Sequence, residues 1–301
     1  MVGFGPHNPV PAAPKSPLMG PPITPSFFSV ELDAPSFPAA LRQLSRPPMS
    51  LWTAGRLPRN DERLVAIVGA RAASLAGCAL AGRLAAAAVG AGYGVVSGGA
   101  LGIDAAAHRG ALTAGGATFA VLGCGIDVVY PDRHGPLFGE ISRGGGLVSE
   151  YPPGTPPRAG QFPVRNRLVA ALAEATIGVE ARPASGALIT ARLARALGRR
   201  VLAVPGSAGC DELVATGAAL ALEGADALVE RLAGVEAPPP EVPAALAPLV
   251  RALRAGAAAP IDLALRMGAT LPEVLAGLAE AELSGWARRL PGGRFEVLRA
   301  N

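Results

Sequence analysis

GYGVVSGGALGIDAAAHRGA, residues 92–111, carries a strand, a glycine corner and a helix in one short run. Residues 93–96 read as a buried strand, Ser97-Gly98-Gly99 as a tight loop, and residues 100–111 as the opening of a helix. Small side chains at such a corner admit a phosphate to the backbone. Free N–H groups and the positive end of the helix dipole then hold it. The same glycines equally serve tight packing of strand against helix, and spacing does not separate the two readings.

On either side the pattern repeats. Residues 64–68 form the preceding strand and 74–91 an alanine-rich helix. Further strands are expected at 118–122, 147–150, 176–179 and 200–204, with helices at 133–142, 166–174, 185–197 and 211–217. Uniformly apolar short strands alternating with helices predict an α/β fold, a Rossmann-like doubly wound and mostly parallel sheet. Such sheets bind ligands at the carboxyl ends of their strands. Residues 1–36 are proline-rich without periodicity and read as a disordered tail. Residues 37–57 read as a short helix, a Pro-Pro break and an extended piece, opening a domain over 37–235. Residues 236–243 read as a stiff proline linker. In 244–301, three helical patterns precede two short strands around Pro291-Gly292-Gly293, which predicts a winged-helix domain.

Half of the 301 residues are hydrophobic and 17% charged, as in a globular protein with an Ala/Leu/Val core. A net charge of +4 is compatible with a nucleic-acid partner without requiring one. Lys15 is the only lysine, so the positive charge is almost all arginine, suited to bidentate phosphate contacts. Cys78, Cys124 and Cys210 are widely spaced and odd in number, and histidine is scarce. No structural metal site or disulfide framework is expected, and a reducing cytoplasm is. No signal pattern and no apolar run of membrane-spanning length stand in the sequence.

The corner after the first sheet strand, Val68-Gly69-Ala70-Arg71-Ala72-Ala73-Ser74, lacks the repeated glycines of a dinucleotide site, so no cofactor is expected. Arg71 and Ser74 either face the same crevice or are an exposed arginine and a helix-start serine. Phe162-Pro163-Val164-Arg165-Asn166-Arg167 puts two arginines and an asparagine at a loop-to-helix junction behind an aromatic. Such arginines neutralise phosphates while Phe162 stacks on a base. Alternatively, Arg165 and Arg167 pair with Glu150 or Glu180 inside the fold and Phe162 joins the core. Asp104 reads as a helix cap or a partner of the loop backbone. His108 reads as structural, having no nucleophile beside it.

These pieces together resemble the DNA processing protein A (DprA/Smf) family from about residue 37 to 301. The motifs are VAIVGARAAS (65–74), VVSGGALGIDAAAHRGAL (95–112), YPPGTPP (151–157), FPVRNR (162–167), SGALITARLA (185–194) and VPG (204–206). The resemblance implies single-stranded DNA binding without catalysis, homodimerisation, and loading of a RecA-type recombinase during natural transformation. It implies that Ser97, Gly98, Gly99 and Gly102 cradle phosphate, that Arg165, Asn166 and Arg167 form a basic motif, and that Phe162 lies along the strand; Arg71, placed in the same crevice by the residue reading above, is counted with these DNA contacts. Leu101 stands where the family usually has arginine, and Ala187 where it has serine. A diverged paralogue with weakened DNA binding is therefore a second expectation.

The glycine corner together with PGSAGCDEL (205–213) is also similar to the lysine-decarboxylase-like "lonely guy" family, which cleaves nucleoside monophosphates. Glu212 would then be the reactive carboxylate. A third possibility is a transcription regulator that reads duplex DNA through the winged helix.

Overall fold

Runs such as TFAVL and ATIGV are stable as strands only where both faces are covered. In the computed structural model, which describes residues 26–183, 185–233, 242–283 and 286–297, they lie inside a nine-stranded sheet. The chain runs through β1 (Phe27–Glu31), α1 (Ala39–Arg42), β2 (Ser50–Gly55), β3 (Leu64–Gly69), α2 (Leu75–Gly90), β4 (Gly94–Ser97), α3 (Ile103–Thr113) and β5 (Thr118–Leu122). After a single 3₁₀ turn (Asp132–His134) come α4 (Gly135–Gly144), β6 (Gly145–Ser149), α5 (Gln161–Leu172), β7 (Ala175–Val179) and α6 (Gly186–Ala196). The sheet unit ends with β8 (Arg200–Ala203), α7 (Ala208–Ala215), β9 (Leu220–Ala221) and α8 (Leu228–Ala233).

Strand order is β1-β2-β6-β5-β4-β3-β7-β8-β9. The seven strands from β6 to β9 are parallel, whereas β2 runs antiparallel to β6 and β1 to β2. The chain winds outward from β3 to β6, then returns to place β7 on the other side of β3. That reversal opens a crevice at the carboxyl ends of the central strands. Alternation along β3 shows why both faces are apolar. Leu64, Ala66 and Val68 share one core with α5 and α6 residues, and Val65 and Ile67 share the other with α2 and α3 residues.

Three differences from the sequence expectation stand out. β1 and the turn after it lie within residues 1–36, so order begins before residue 37, because Phe27 to Glu31 pairs with β2 along its whole length. Residues 1–25 of the expected tail, and residues 236–241 of the expected linker, lie outside the described residues. Helix α5 starts at Gln161, so FPVRNR is helical rather than a junction. β9 had no counterpart in the sequence reading.

The C-terminal unit contains α9 (Ala247–Arg254), α10 (Pro260–Met267), α11 (Leu271–Leu283) and an antiparallel hairpin of β10 (Ala287–Arg289) and β11 (Phe295–Val297). Its core includes Leu249, Leu253, Leu263, Val274, Leu278 and Trp286, and Ala196 of α6 packs into it. Ser45 donates to the Glu282 carbonyl at 2.9 Å, and Arg46 pairs with the Glu282 carboxylate. Among the described residues no helix is long and apolar enough to cross a membrane.

Candidate functional site

β4 ends at Ser97, and the chain turns through Gly98 to Gly102 into α3. Gly102 has φ +75°, and a Cβ there would lie 2.2 Å from the Ala70 carbonyl oxygen. A Cβ on Gly98 would lie 2.7 Å from both an Arg165 guanidinium nitrogen and the Asp104 Oδ2. Packing therefore requires both glycines, whatever else they do.

Asp104 accepts hydrogen bonds from the N–H groups of Gly98 at 3.1 Å and Ala100 at 3.3 Å. This is the loop-binding role read from its position. Burial pushes its carboxyl pKa up, opposed by the Arg165 charge and the loop donors. Two N–H groups of the expected cradle are thus already used. Those of Gly99, Leu101 and Gly102 meet no protein acceptor among the described residues. Ser97 is fully buried and its Oγ donates to the Ile67 carbonyl at 2.6 Å, so its hydroxyl does not face outward.

Arg165 of the basic motif is buried beneath the glycine loop. Only 4% of the residue is exposed. Its guanidinium donates to the carbonyls of Gly98, at 2.5 Å, and of Val121, and its Nε donates to Asn166 Oδ1 at 3.3 Å. Burial lowers its pKa, and Asp104 opposes that shift. Arg167 pairs with Glu150 at 2.5 Å, each side chain only 13% exposed, and lines neither cleft described below. This is the internal pairing held open as an alternative. Asn166 donates to the Gly186 carbonyl at 3.2 Å.

Phe162 does not join the core. It stands half-buried between a cleft of about 910 Å³, bordered by Gly98–Leu101, Gly123 and Val128–Arg133, and a smaller one of about 530 Å³, bordered by Gly69–Arg71, Asn166 and Ser185–Ala187. The Arg71 guanidinium lies 5.3 Å above the Phe162 ring centroid. The Tyr130 ring lies 5.4 Å from it at 31°. These three side chains form a cation–aromatic ridge between the clefts. Arg71 pairs with no carboxylate among the described residues. Of the residues singled out from sequence, Arg71, Gly98, Gly99, Phe162, Asn166 and the floor residue Arg165 gather here; Ser97, Gly102 and Arg167 line neither cleft. Tyr130 and Arg133 were missed. The available signal was Tyr-Pro in a loop at the carboxyl end of a strand.

Other candidates have structural work. Ser74 caps α2, accepting from the Gly77 N–H at 2.9 Å, and donates to Glu180 at 2.7 Å. His108 is buried against Thr118 Oγ at 2.7 Å. Glu212 is exposed on α7 and lines neither cleft.

Residues 29–233 match the family described as DNA recombination-mediator protein A. A Mycobacterium tuberculosis (H37Rv) protein named for DNA processing as DprA is 44% identical over 284 residues, covering 87% of this chain and 72% of its own. Protein Smf of Escherichia coli K12 is 35% identical over 295 residues, covering 92% and 79%. The solved structure of Streptococcus pneumoniae DNA processing protein A superposes with a TM-score of 0.61 at 36% identity, covering 68% of this chain and 74% of that one. That of Helicobacter pylori DNA processing protein A, described for its single-stranded DNA binding mode, gives 0.63 at 30% identity, covering 70% and 97%. With the fold and several separated motifs in agreement, this chain belongs to the DNA recombination-mediator protein A family.

Proposed function

We propose that the cleft binds single-stranded DNA without sequence preference and without catalysis. The observation that carries this is the ridge of Arg71, Phe162 and Tyr130 beside the N–H groups of Gly99 and Leu101, which border the larger cleft and meet no protein acceptor among the described residues. A single strand offers a phosphate every nucleotide and a π-face on every base. Backbone N–H groups and Arg71 meet the first, and the cleft-facing rings meet the second, so all bases bind alike. The description of the Helicobacter pylori relative supports the same ligand.

The nucleotide-hydrolysis alternative fits less well, since Glu212 lines neither cleft. Duplex reading through the C-terminal hairpin also loses support. Arg288 pairs with Glu296, Arg294 donates to the Ala257 carbonyl, and Arg289 lies over Phe295. In the proposed organisation the sheet unit is the DNA-binding domain and the C-terminal unit a winged-helix domain. The family resemblance supports a homodimer that hands its strand to a RecA-type recombinase in the cytoplasm as part of this reading.

Fluorescence anisotropy with labelled oligo-dT at several salt concentrations tests this. Wild-type affinity should fall as salt rises. Arg71→Ala should make the log–log salt slope shallower by about 0.7, the value of one lost single-strand phosphate contact. Phe162→Ala should cost about 1–3 kcal/mol with the slope unchanged. Absence of binding at low salt would sink the proposal.

A further inference from the structure

Arg165 and Asp104 hold the glycine loop from opposite polar sides. Asp104, in the first turn of α3, takes the N–H groups of Gly98 and Ala100. Arg165 takes the Gly98 carbonyl, and with the same guanidinium nitrogen the Val121 carbonyl on β5. Gly98 is thus gripped at its N–H by a carboxylate and at its C=O by a guanidinium, one on each of its two flanking peptide groups. Both residues are more than nine-tenths buried. Their opposite charges compensate each other across the loop.

Arg165 also stands one helical turn beyond Phe162 on α5, so the two share a face of that helix. One guanidinium therefore joins three parts of the cleft: the glycine loop, the end of β5 and the segment that presents the stacking ring. A planar guanidinium with five donors reaches several carbonyls at once, whereas a lysine ammonium reaches them as a single point.

We infer that Arg165 and Asp104 are a positioning pair. They set the distance between the phosphate-facing loop and the Phe162 ring, and neither touches DNA. This rests on the proposed single-stranded DNA reading, but it makes a different prediction from a phosphate contact. A lost phosphate contact shallows the salt slope; a lost positioning contact weakens binding equally at every salt.

The test uses the full chain with Arg165→Gln, Arg165→Lys and Asp104→Asn. Binding of oligo-dT is measured across salt. Fluorescence of an oligonucleotide containing 2-aminopurine reports stacking on Phe162, and hydrogen exchange follows the peptide spanning residues 97–102. Arg165→Gln should weaken binding about tenfold or more, as expected of a sub-ångström misplacement, with the slope of wild type. It should also relieve the quenching that Phe162→Ala relieves. Arg165→Lys, though it keeps the charge, should not restore affinity, and it carries the comparison if Arg165→Gln fails to fold. A slope shallower by about 0.7 in Arg165→Gln, or wild-type affinity in Arg165→Lys, would overturn the inference. If the wild type binds no DNA, the functional proposal fails by itself. The exchange arm then decides the positioning pair: faster exchange over 97–102 in Arg165→Gln and Asp104→Asn supports it, and unchanged exchange refutes it.

Discussion

At Gly102 a methyl group would meet the Ala70 carbonyl while φ sits at +75°, so Gly102→Ala combines strain with a backbone clash. The expected loss is about 2–4 kcal/mol by urea denaturation. Gly115, also at positive φ but with open space around it, should lose only about 1 kcal/mol on the same change. Leu101 lines the larger cleft, so Leu101→Arg should tighten oligo-dT binding and steepen its salt slope by about 0.7. His108 sets a pH dependence. Burial in the core pushes its pKa from 6.5 down to about 3. The folded-state value lies below the unfolded one, so the unfolded chain binds the extra proton between these limits. The stability contribution is complete above about pH 6.5 and is lost as pH falls toward 3. By pH 4.5 that is roughly 3 kcal/mol, and His108→Gln should flatten the curve measured by thermal melts across pH.

Helix α5 shows how one element serves two ends. Its first turn presents Phe162 to the cleft, and its second fixes the helix, through Arg167 and Glu150, to the residue just beyond β6. The sequence reading starts this helix at residue 166, five residues after its observed start. In the structure Pro163 sits in the first turn, where its missing N–H has no partner to lose. The pair is largely buried, so removing one member leaves the other uncompensated. Arg167→Ala should cost about 3 kcal/mol in urea denaturation, whereas replacing both by leucine should cost less. β1 was hidden for a different reason: Phe27-Phe28-Ser29-Val30 is an ordinary strand pattern beside a proline-rich stretch whose composition dominated it.

Across the whole molecule, the C-terminal unit meets the sheet unit at Ser45, Arg46 and Ala196. The Glu282 side chain is 7% exposed and that of Arg46 58%, so Arg46 reaches from the surface to a nearly buried carboxylate. Arg46→Ala should leave that carboxylate unpaired and destabilise the docked arrangement by about 1–3 kcal/mol. Limited proteolysis should then cut between the units faster than in wild type, with the sheet unit retained.

Order and type of the main elements were legible from residues alone. Apolar runs, helical periods and glycine corners are local signals, and a parallel sheet follows from their alternation. Asp104 was legible for the same reason, its partners Gly98 and Ala100 being six and four residues away. The arginines were not. Arg165 meets a carbonyl 67 residues distant and Arg167 a carboxylate 17 residues distant. Residue type states what an arginine can bind, but only the packed strands and helices state which acceptor lies within reach. The same holds for Phe162, whose ring is exposed to a cleft because Tyr130 and Arg71 arrive beside it from two other loops. Long-range contacts of this kind depend on strand order, which brings the ends of β3, β4 and β5 together and which no single stretch of sequence contains.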